Sequence, residues 1–141
     1  MKQSNVKSKS LTGVIRIILF IYIICFFVGD LRHWLDIMHD GIFPYRNIPF
    51  MFNLYLTSLA ILDFVTIVLL LMKPIHGLLL AVFIMATDLM TDFYIGYNYW
   101  HINIQTNRGL QLLTMFGLFV FLTAPFLIKN LRNKSHLCSD R

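Results

Sequence analysis

Residues 50–97 read FMFNLYLTSLAILDFVTIVLLLMKPIHGLLLAVFIMATDLMTDFYIGY, two long apolar runs joined at Lys73 and Pro74. Each run is close to the ~20 apolar residues that cross a hydrocarbon core of ~30 Å. Proline opens a helix readily but disrupts the interior of one. The stretch therefore predicts a tight hairpin of two membrane-spanning helices, at about residues 50–72 and 75–97.

Two further apolar runs flank this hairpin, at about residues 11–29 and 109–131. The chain of 141 residues is 57% hydrophobic and only 13% charged, whereas an average soluble domain has about 25% charged residues. Backbone groups in lipid must be hydrogen-bonded within their own segment, so each run is expected to be helical. We therefore expect an all-α integral membrane protein, a single transmembrane domain over residues 1–141 that forms a four-helix bundle.

The chain begins as a signal peptide does, with basic residues ahead of a short apolar run. The run ends in FFVGD at residues 26–30, which offers no small-residue cleavage site, so we expect an uncleaved anchor that stays as the first helix. Cys25 and Cys138 are far apart and form no C-x-x-C pair, which argues against a disulfide or a thiol-redox enzyme.

The distribution of lysine and arginine predicts the orientation, because these residues are enriched in cytoplasmic loops. Arg32, Arg46 and Arg108 fall on one side of the predicted bundle, and the other nine of the 12 basic residues fall on the side of the termini. Both termini are therefore expected in the cytoplasm (N-in/C-in), in a multi-pass protein of a bacterial cytoplasmic membrane. The net charge of +5 then reflects topology and contact with the lipid bilayer, and not nucleic-acid binding.

The segment after the first run, LRHWLDIMHDGI at residues 31–42, has an amphipathic helical pattern. It predicts an amphipathic helix that lies in or rises from the outer membrane interface, ended by Gly41 and Pro44, with its polar arc in water. The apolar arc holds Leu31, Trp34, Leu35, Met38 and Ile42, and the polar arc holds Arg32, His33, Asp36, His39 and Asp40.

His33, Asp36 and Asp40 in this polar arc are weak candidates for a metal site. His39 and His101 could add further ligands, but the spacing matches no established His or Cys metal motif. A solvated helix face is therefore the better interpretation. The sequence also contains no phosphate loop, nucleophile elbow or nucleic-acid motif, so it indicates no cofactor and no particular enzymatic activity.

Three aspartates lie within the predicted spans: Asp63 in the second, and Asp88 and Asp92 in the third. A charged side chain at the bilayer centre costs roughly 2.5–3.5 kcal/mol on insertion scales, so such residues are rare and usually functional. Asp88 and Asp92 are four residues apart and share one helix face. With Asp30, expected to close the first helix at the outer surface, the three would form a ladder of carboxylates from mid-membrane outward.

Burial and a neighbouring carboxylate both favour the protonated form of an acid. We therefore expect Asp63, Asp88 and Asp92 to face the bundle interior, at least one of them protonated near neutral pH, and to bind protons or a cationic ligand. The alternative is that the acids only hold the bundle together through hydrogen bonds. Their partners would then be tyrosines or Asn53, Thr57, Thr66, Thr87 and Thr91.

Three segments carry a resemblance: FNLYLTSLAILDFVTIVLLLMKP at 52–74, GLLLAVFIMATDLMTDFY at 77–94 and FLTAPFLI at 121–128. They resemble a group of small bacterial four-helix inner-membrane proteins, which implies the fold and no function. Asp30, Asp63 and the APFLI at 124–128 are also similar to the EXPERA/emopamil-binding group. The acids of those four-helix proteins hold an amine or carbocation-like ligand in a cavity.

Three hypotheses follow from these features. The first is proton-coupled transport or binding of a small or cationic solute at Asp63, Asp88 and Asp92. The second, implied by the EXPERA resemblance, is a binder or isomerase of a lipophilic molecule. The third is an accessory subunit of a membrane complex, or a homo-oligomer, in which the acids pair with a partner helix.

Overall fold

A computed structural model describes residues 2–45, 47–101 and 106–139, with side chains over 11–45, 47–101 and 106–133. The described chain forms four α-helices and no β-strand. They are α1 (Lys2–Asp40), α2 (Phe50–Met72), α3 (Pro74–Asn98) and α4 (Arg108–Ser139). Each contains a segment long and apolar enough to cross a membrane. The all-α architecture with four candidate spans is therefore confirmed, and it is compatible with a multi-pass membrane protein.

The hairpin of α2 and α3 has the predicted turn. Pro74 is the first residue of α3, where its missing N–H costs nothing, and the Lys73 N–H donates to the Leu69 carbonyl at 2.7 Å. A Cβ carbon on Gly77 would lie only 2.5 Å from the Leu70 backbone nitrogen. The helices therefore approach backbone to backbone beside the turn, and only glycine fits there.

α1 differs from the expectation, because it runs without a break through the amphipathic segment. Asp30 does not close the first helix; it lies inside α1 with 6% of its surface exposed. Residues 29–31 contain no proline, and a break inside an apolar bundle would leave backbone groups without partners. The helix ends where the sequence predicts, at Gly41, whose φ of +89° suits the residue after a helix C-terminus.

Successive helices pack against each other as neighbours, and α1 also meets α4. The Tyr22 hydroxyl on α1 donates to the Val120 carbonyl on α4 at 3.0 Å, and Phe26 packs edge-on against Phe116. Between α3 and α4, a Cβ carbon on Gly117 would stand 2.5 Å from Leu89 Cδ1, so the two helices approach closely at that glycine.

The antiparallel packing gives the bundle two distinct ends. One end holds Lys73, the start of α1 and the end of α4, and is called the Lys73 end. The other holds the α1–α2 and α3–α4 connections and is called the Tyr45 end. The sequence predicts that the Lys73 end is cytoplasmic; the orientation in a membrane stays a prediction.

Candidate functional site

A cavity of about 670 Å³ lies among the four helices, in the half of the bundle nearer the Tyr45 end. On the side of the Lys73 end it stops near Tyr22, which is fully buried where α1 meets α4. Much of its wall is apolar, with Phe26, Phe116 and Phe119 near that closed end. Its polar lining consists of Arg32, His33, Asp36, Tyr45, Asp63, Asp88, Asp92, Trp100 and Asn107.

The three aspartates of the candidate spans in α2 and α3 all face this cavity inside the bundle. Asp63 and Asp88 are 6% and 9% exposed, Asp92 is half-buried, and all three line the space. The carboxyl group of Asp88 lies close enough to Asp63 and Asp92 to interact electrostatically with both. Asp30 is buried behind them, where it repels Asp63. The structure therefore brings Asp63, Asp88 and Asp92 to one cavity, but Asp30 lies beside Asp63 and not at the outer end of the predicted ladder. The role of these acids stays a prediction.

Four of the side chains expected to satisfy these acids donate to backbone carbonyls instead. Thr57 and Thr66 donate to backbone carbonyls, at 2.9 and 2.8 Å, and Asn53 donates to the Tyr45 carbonyl at 2.9 Å. Thr87 likewise donates to backbone carbonyls of its own helix and shares a hydrogen bond of 2.7 Å with Tyr55. Among the described residues, no partner reaches the buried Oδ1 atoms of Asp30 and Asp63. These four side chains therefore do not supply the cross-links of the alternative interpretation, which stays untested for Thr91 and the tyrosines.

The polar arc of residues 31–42 is placed differently from the sequence interpretation. Arg32, His33 and Asp36 line the cavity. The apolar arc points away from the bundle, with Leu35 and Met38 55% and 80% exposed. The sequence pattern predicts a polar arc in water, but a polar arc that faces a cavity beside an upright helix has the same pattern. The sequence therefore does not identify Arg32, His33 and Asp36 as cavity residues.

The weak metal candidates are not brought together. Asp40 lies in the exposed last turn of α1, where its carboxylate is 3.2 Å from His39 Nδ1. His33 and Asp36 face the cavity instead. Within the described parts of the chain, no group of three or more His, Cys, Asp or Glu side chains is arranged to hold a metal ion.

Arg32 is the basic residue of the cavity. Its guanidinium reaches from α1 toward the start of α4, where a Cβ carbon on Gly109 would lie 3.3 Å from Nη1. Its charge acts on Asp92, but no ion pair forms between them. The lining thus contains one arginine, at the Tyr45 end, and four aspartates: Asp36, Asp63, Asp88 and Asp92. The cavity is therefore acidic overall, and most acidic in its deeper part, away from Arg32.

The connection between α1 and α2 covers the cavity through Tyr45. The Tyr45 hydroxyl donates to Asp36 Oδ2 at 2.8 Å, and the Asn53 side-chain amide donates to the Tyr45 carbonyl at 2.9 Å. The ring packs against Trp100 with centroids 6.2 Å apart. Burial, and then the hydrogen bond to Asp36, raise the pKa of Tyr45, so its hydroxyl remains a donor at neutral pH. Nothing in the sequence pattern singled this residue out.

The cavity opens sideways between α1 and α4. Ile24 and Val28 on α1, and Leu112 and Met115 on α4, line the cavity and are also 45–69% exposed. Residues that face both the cavity and the surroundings mark its mouth. This seam is apolar and lies within the candidate spans, so in a membrane it would face lipid.

No protein-family model, curated protein or solved structure matches this chain. The two resemblances drawn from the sequence therefore stay predictions that rest on the quoted segments.

Proposed function

We propose that this protein binds a small amphiphilic cation, an organic amine with an apolar body, in the cavity between its helices. One observation carries the proposal. The carboxylates of Asp63, Asp88 and Asp92 converge on a largely apolar space, and four of the nearby polar side chains donate to backbone carbonyls instead. The volume of about 670 Å³ falls within the range of ≈ 300–1,000 Å³ typical of small-molecule sites.

The chemistry of the lining favours a cation. A buried acceptor without a donor is costly, and an ammonium group would supply both the donors and the opposite charge. Asp63 Oδ1 is such an acceptor, and Asp88 and Asp92 continue the acidic wall above it. The apolar body of the ligand would pack against the rings of Phe116 and Phe119.

The position of Arg32 predicts how the bound ligand is oriented in the cavity. Its positive charge lies near Asp92, toward the Tyr45 end. A cation there would be repelled, so the ligand's charge settles deeper, at Asp63 and Asp88. The apolar seam between α1 and α4 then provides the route of entry, because an amphiphilic amine dissolves in the membrane and can arrive from the side.

Two of the hypotheses from the sequence, the proton-coupled carrier and the accessory subunit, relate to the same geometry. A proton-coupled carrier would release protons from these carboxylates as the cation binds, and the closed contact at Tyr22 would have to open for transport. An accessory subunit whose acids pair with a partner helix would present them on its outer surface. Asp63 and Asp88 are buried inside the bundle, which favours an internal ligand.

Calorimetry on the protein in lipid nanodiscs tests the proposal, with phenylhexylamine as probe and phenylhexanol as its uncharged counterpart. We expect the amine to bind on the order of tenfold more tightly, a difference of about 1.4 kcal/mol. Asp88→Asn and Asp63→Asn should remove most of that preference. Asp40→Asn, on an exposed carboxylate outside the cavity, should keep it. Equal binding of amine and alcohol by the unaltered protein would contradict the proposal.

A further inference from the structure

A second cavity, of about 440 Å³, lies between α3 and α4 toward the Lys73 end. It shares no lining residue with the acidic cavity. Its floor includes Ala124, which is 1% exposed, and its walls are apolar side chains of both helices. The apolar lining consists of Leu79, Val82, Phe121, Ala124, Pro125 and Ile128.

One end of this groove is basic. Lys129, Arg132 and Asn133 line it just beyond its apolar part. These positions are spaced by three and four residues, so they project from one face of α4. From Phe121 to Lys129 the helix rises about 12 Å, at 1.5 Å per residue. The groove thus combines an apolar slot with a positively charged end.

We infer that this groove binds an anionic phospholipid, with its phosphate at Lys129 and Arg132 and one acyl chain along the apolar slot. Charge complementarity carries the choice of occupant, because basic pockets between transmembrane helices bind anionic head groups. The amide of Asn133 can donate a further hydrogen bond to a phosphate oxygen. A soluble phosphate ion has no apolar part, so it would make no contact with the apolar walls of the groove.

The depth of the basic residues agrees with a lipid head group. The apolar run of α4 gives way to polar residues at Lys129, so Lys129 and Arg132 lie where its apolar part ends. At this level, near the end of the apolar helix, the phosphates of a bilayer are in reach of long basic side chains. The acyl chain would then run toward the bilayer centre between Leu79 and Phe121.

Native mass spectrometry of the detergent-solubilised protein tests this inference. The probes are phosphatidylglycerol and phosphatidylcholine with identical acyl chains. We expect phosphatidylglycerol to bind preferentially, and Lys129→Gln to weaken its binding about fivefold, since one basic residue at a membrane surface contributes ≈ 1 kcal/mol. Lys73→Gln removes an exposed charge from the same end but outside the groove, and it should leave binding unchanged.

A second pair of variants tests the apolar slot. Val82→Trp should fill the groove and weaken phosphatidylglycerol binding with all basic residues intact. Leu118→Trp is the matched control, because Leu118 is exposed on α4 and lines neither cavity. Equal binding of the two lipids by the unaltered protein would overturn the inference. So would losses as large in the Lys73 and Leu118 controls as in the groove variants.

Discussion

Gly29 of α1 lies directly against the carboxylate of Asp63 in α2: a Cβ carbon on residue 29 would stand 3.4 Å from Asp63 Oδ2. Gly29 also lines the cavity. Because Gly29 has no side chain, there is space beside the Asp63 carboxylate, at the level where we place the ligand's charge. An added methyl group at this distance makes an ordinary van der Waals contact, and a longer side chain would occupy the cavity.

This contact predicts that two substitutions at residue 29 change different properties: the stability in one case and ligand binding in the other. Gly29→Ala should raise the free energy of unfolding by about 0.5–1 kcal/mol, because glycine inside a helix is less favourable than alanine by that amount. Gly29→Leu should keep the fold and weaken binding of phenylhexylamine, because its side chain extends over Asp63. Thermal unfolding and calorimetry measure the two effects. If the leucine variant binds the amine as the unaltered protein does, the charge does not sit at Asp63.

Most of the fold could be predicted from the sequence, because each apolar run has the length of a membrane span and Lys73-Pro74 fixes the hairpin. The unbroken course of α1 through residues 31–40 could not. An amphipathic segment of this composition fits a helix on the membrane surface and an upright helix beside a polar cavity equally well. Only the packing of α1 against α2 and α4 decides between them.

The close backbone contact at Gly77 predicts that even a methyl side chain at this position destabilises the protein. In Gly77→Ala the new Cβ would meet the Leu70 backbone at 2.5 Å, and the hairpin would have to open. Overpacking of this kind typically costs about 1–3 kcal/mol. Gly13→Ala is the matched control, because that glycine has no atom within 4 Å of an added Cβ.

Chemical unfolding in detergent micelles would compare the two variants. The Gly77 variant should unfold at lower denaturant concentration than the unaltered protein, and the Gly13 variant at the same or higher concentration. Equal midpoints for both variants would mean that α2 and α3 do not approach as closely as described.

The hydrogen bond from Tyr45 to Asp36 predicts a pH-dependent contribution to stability. Removing the donor in Tyr45→Phe should lower the free energy of unfolding by about 1–2 kcal/mol at neutral pH. The folded state raises the pKa of Tyr45, so this contribution is fully present below the unfolded pKa of about 10. It should decline above that pH, as the phenol loses its proton.

Unfolding curves of both proteins between neutral and alkaline pH provide the measurement. The difference between them should stay constant up to about pH 10 and shrink at higher pH. A difference that is absent at neutral pH would show that Tyr45 does not donate to Asp36 in the membrane-embedded protein.

Some residues of the candidate site could be identified from the sequence, and others could not. Charges in an apolar span are conspicuous, so Asp63, Asp88 and Asp92 could be identified without a structure. Arg32 and Asp36 could not, because a polar residue near the end of a span is normally solvated. Their place in the cavity depends on α1 remaining upright, which is a property of the packed bundle.

Cys25 offers a direct probe of the charge in the cavity. It is partly buried, carries a free thiol and lines the cavity between α1 and α4. Replacing Cys138, the other cysteine of the chain, with serine leaves it as the only thiol. Aminoethyl and sulfonatoethyl methanethiosulfonate are similar in size and opposite in charge, so the ratio of their reaction rates reports the local potential.

We expect the cationic reagent to label Cys25 faster, by on the order of tenfold, because a cleft lined by one sign of charge concentrates the opposite ion. Asp88→Asn should reduce the ratio, whereas Asp40→Asn should not, because Asp40 lies outside the cavity. Phenylhexylamine should protect the thiol, and phenylhexanol should protect it less. Equal rates for the two reagents would show that the carboxylates are neutral or shielded from the cavity. Protection by the alcohol alone would assign the cavity to an uncharged lipophilic ligand instead.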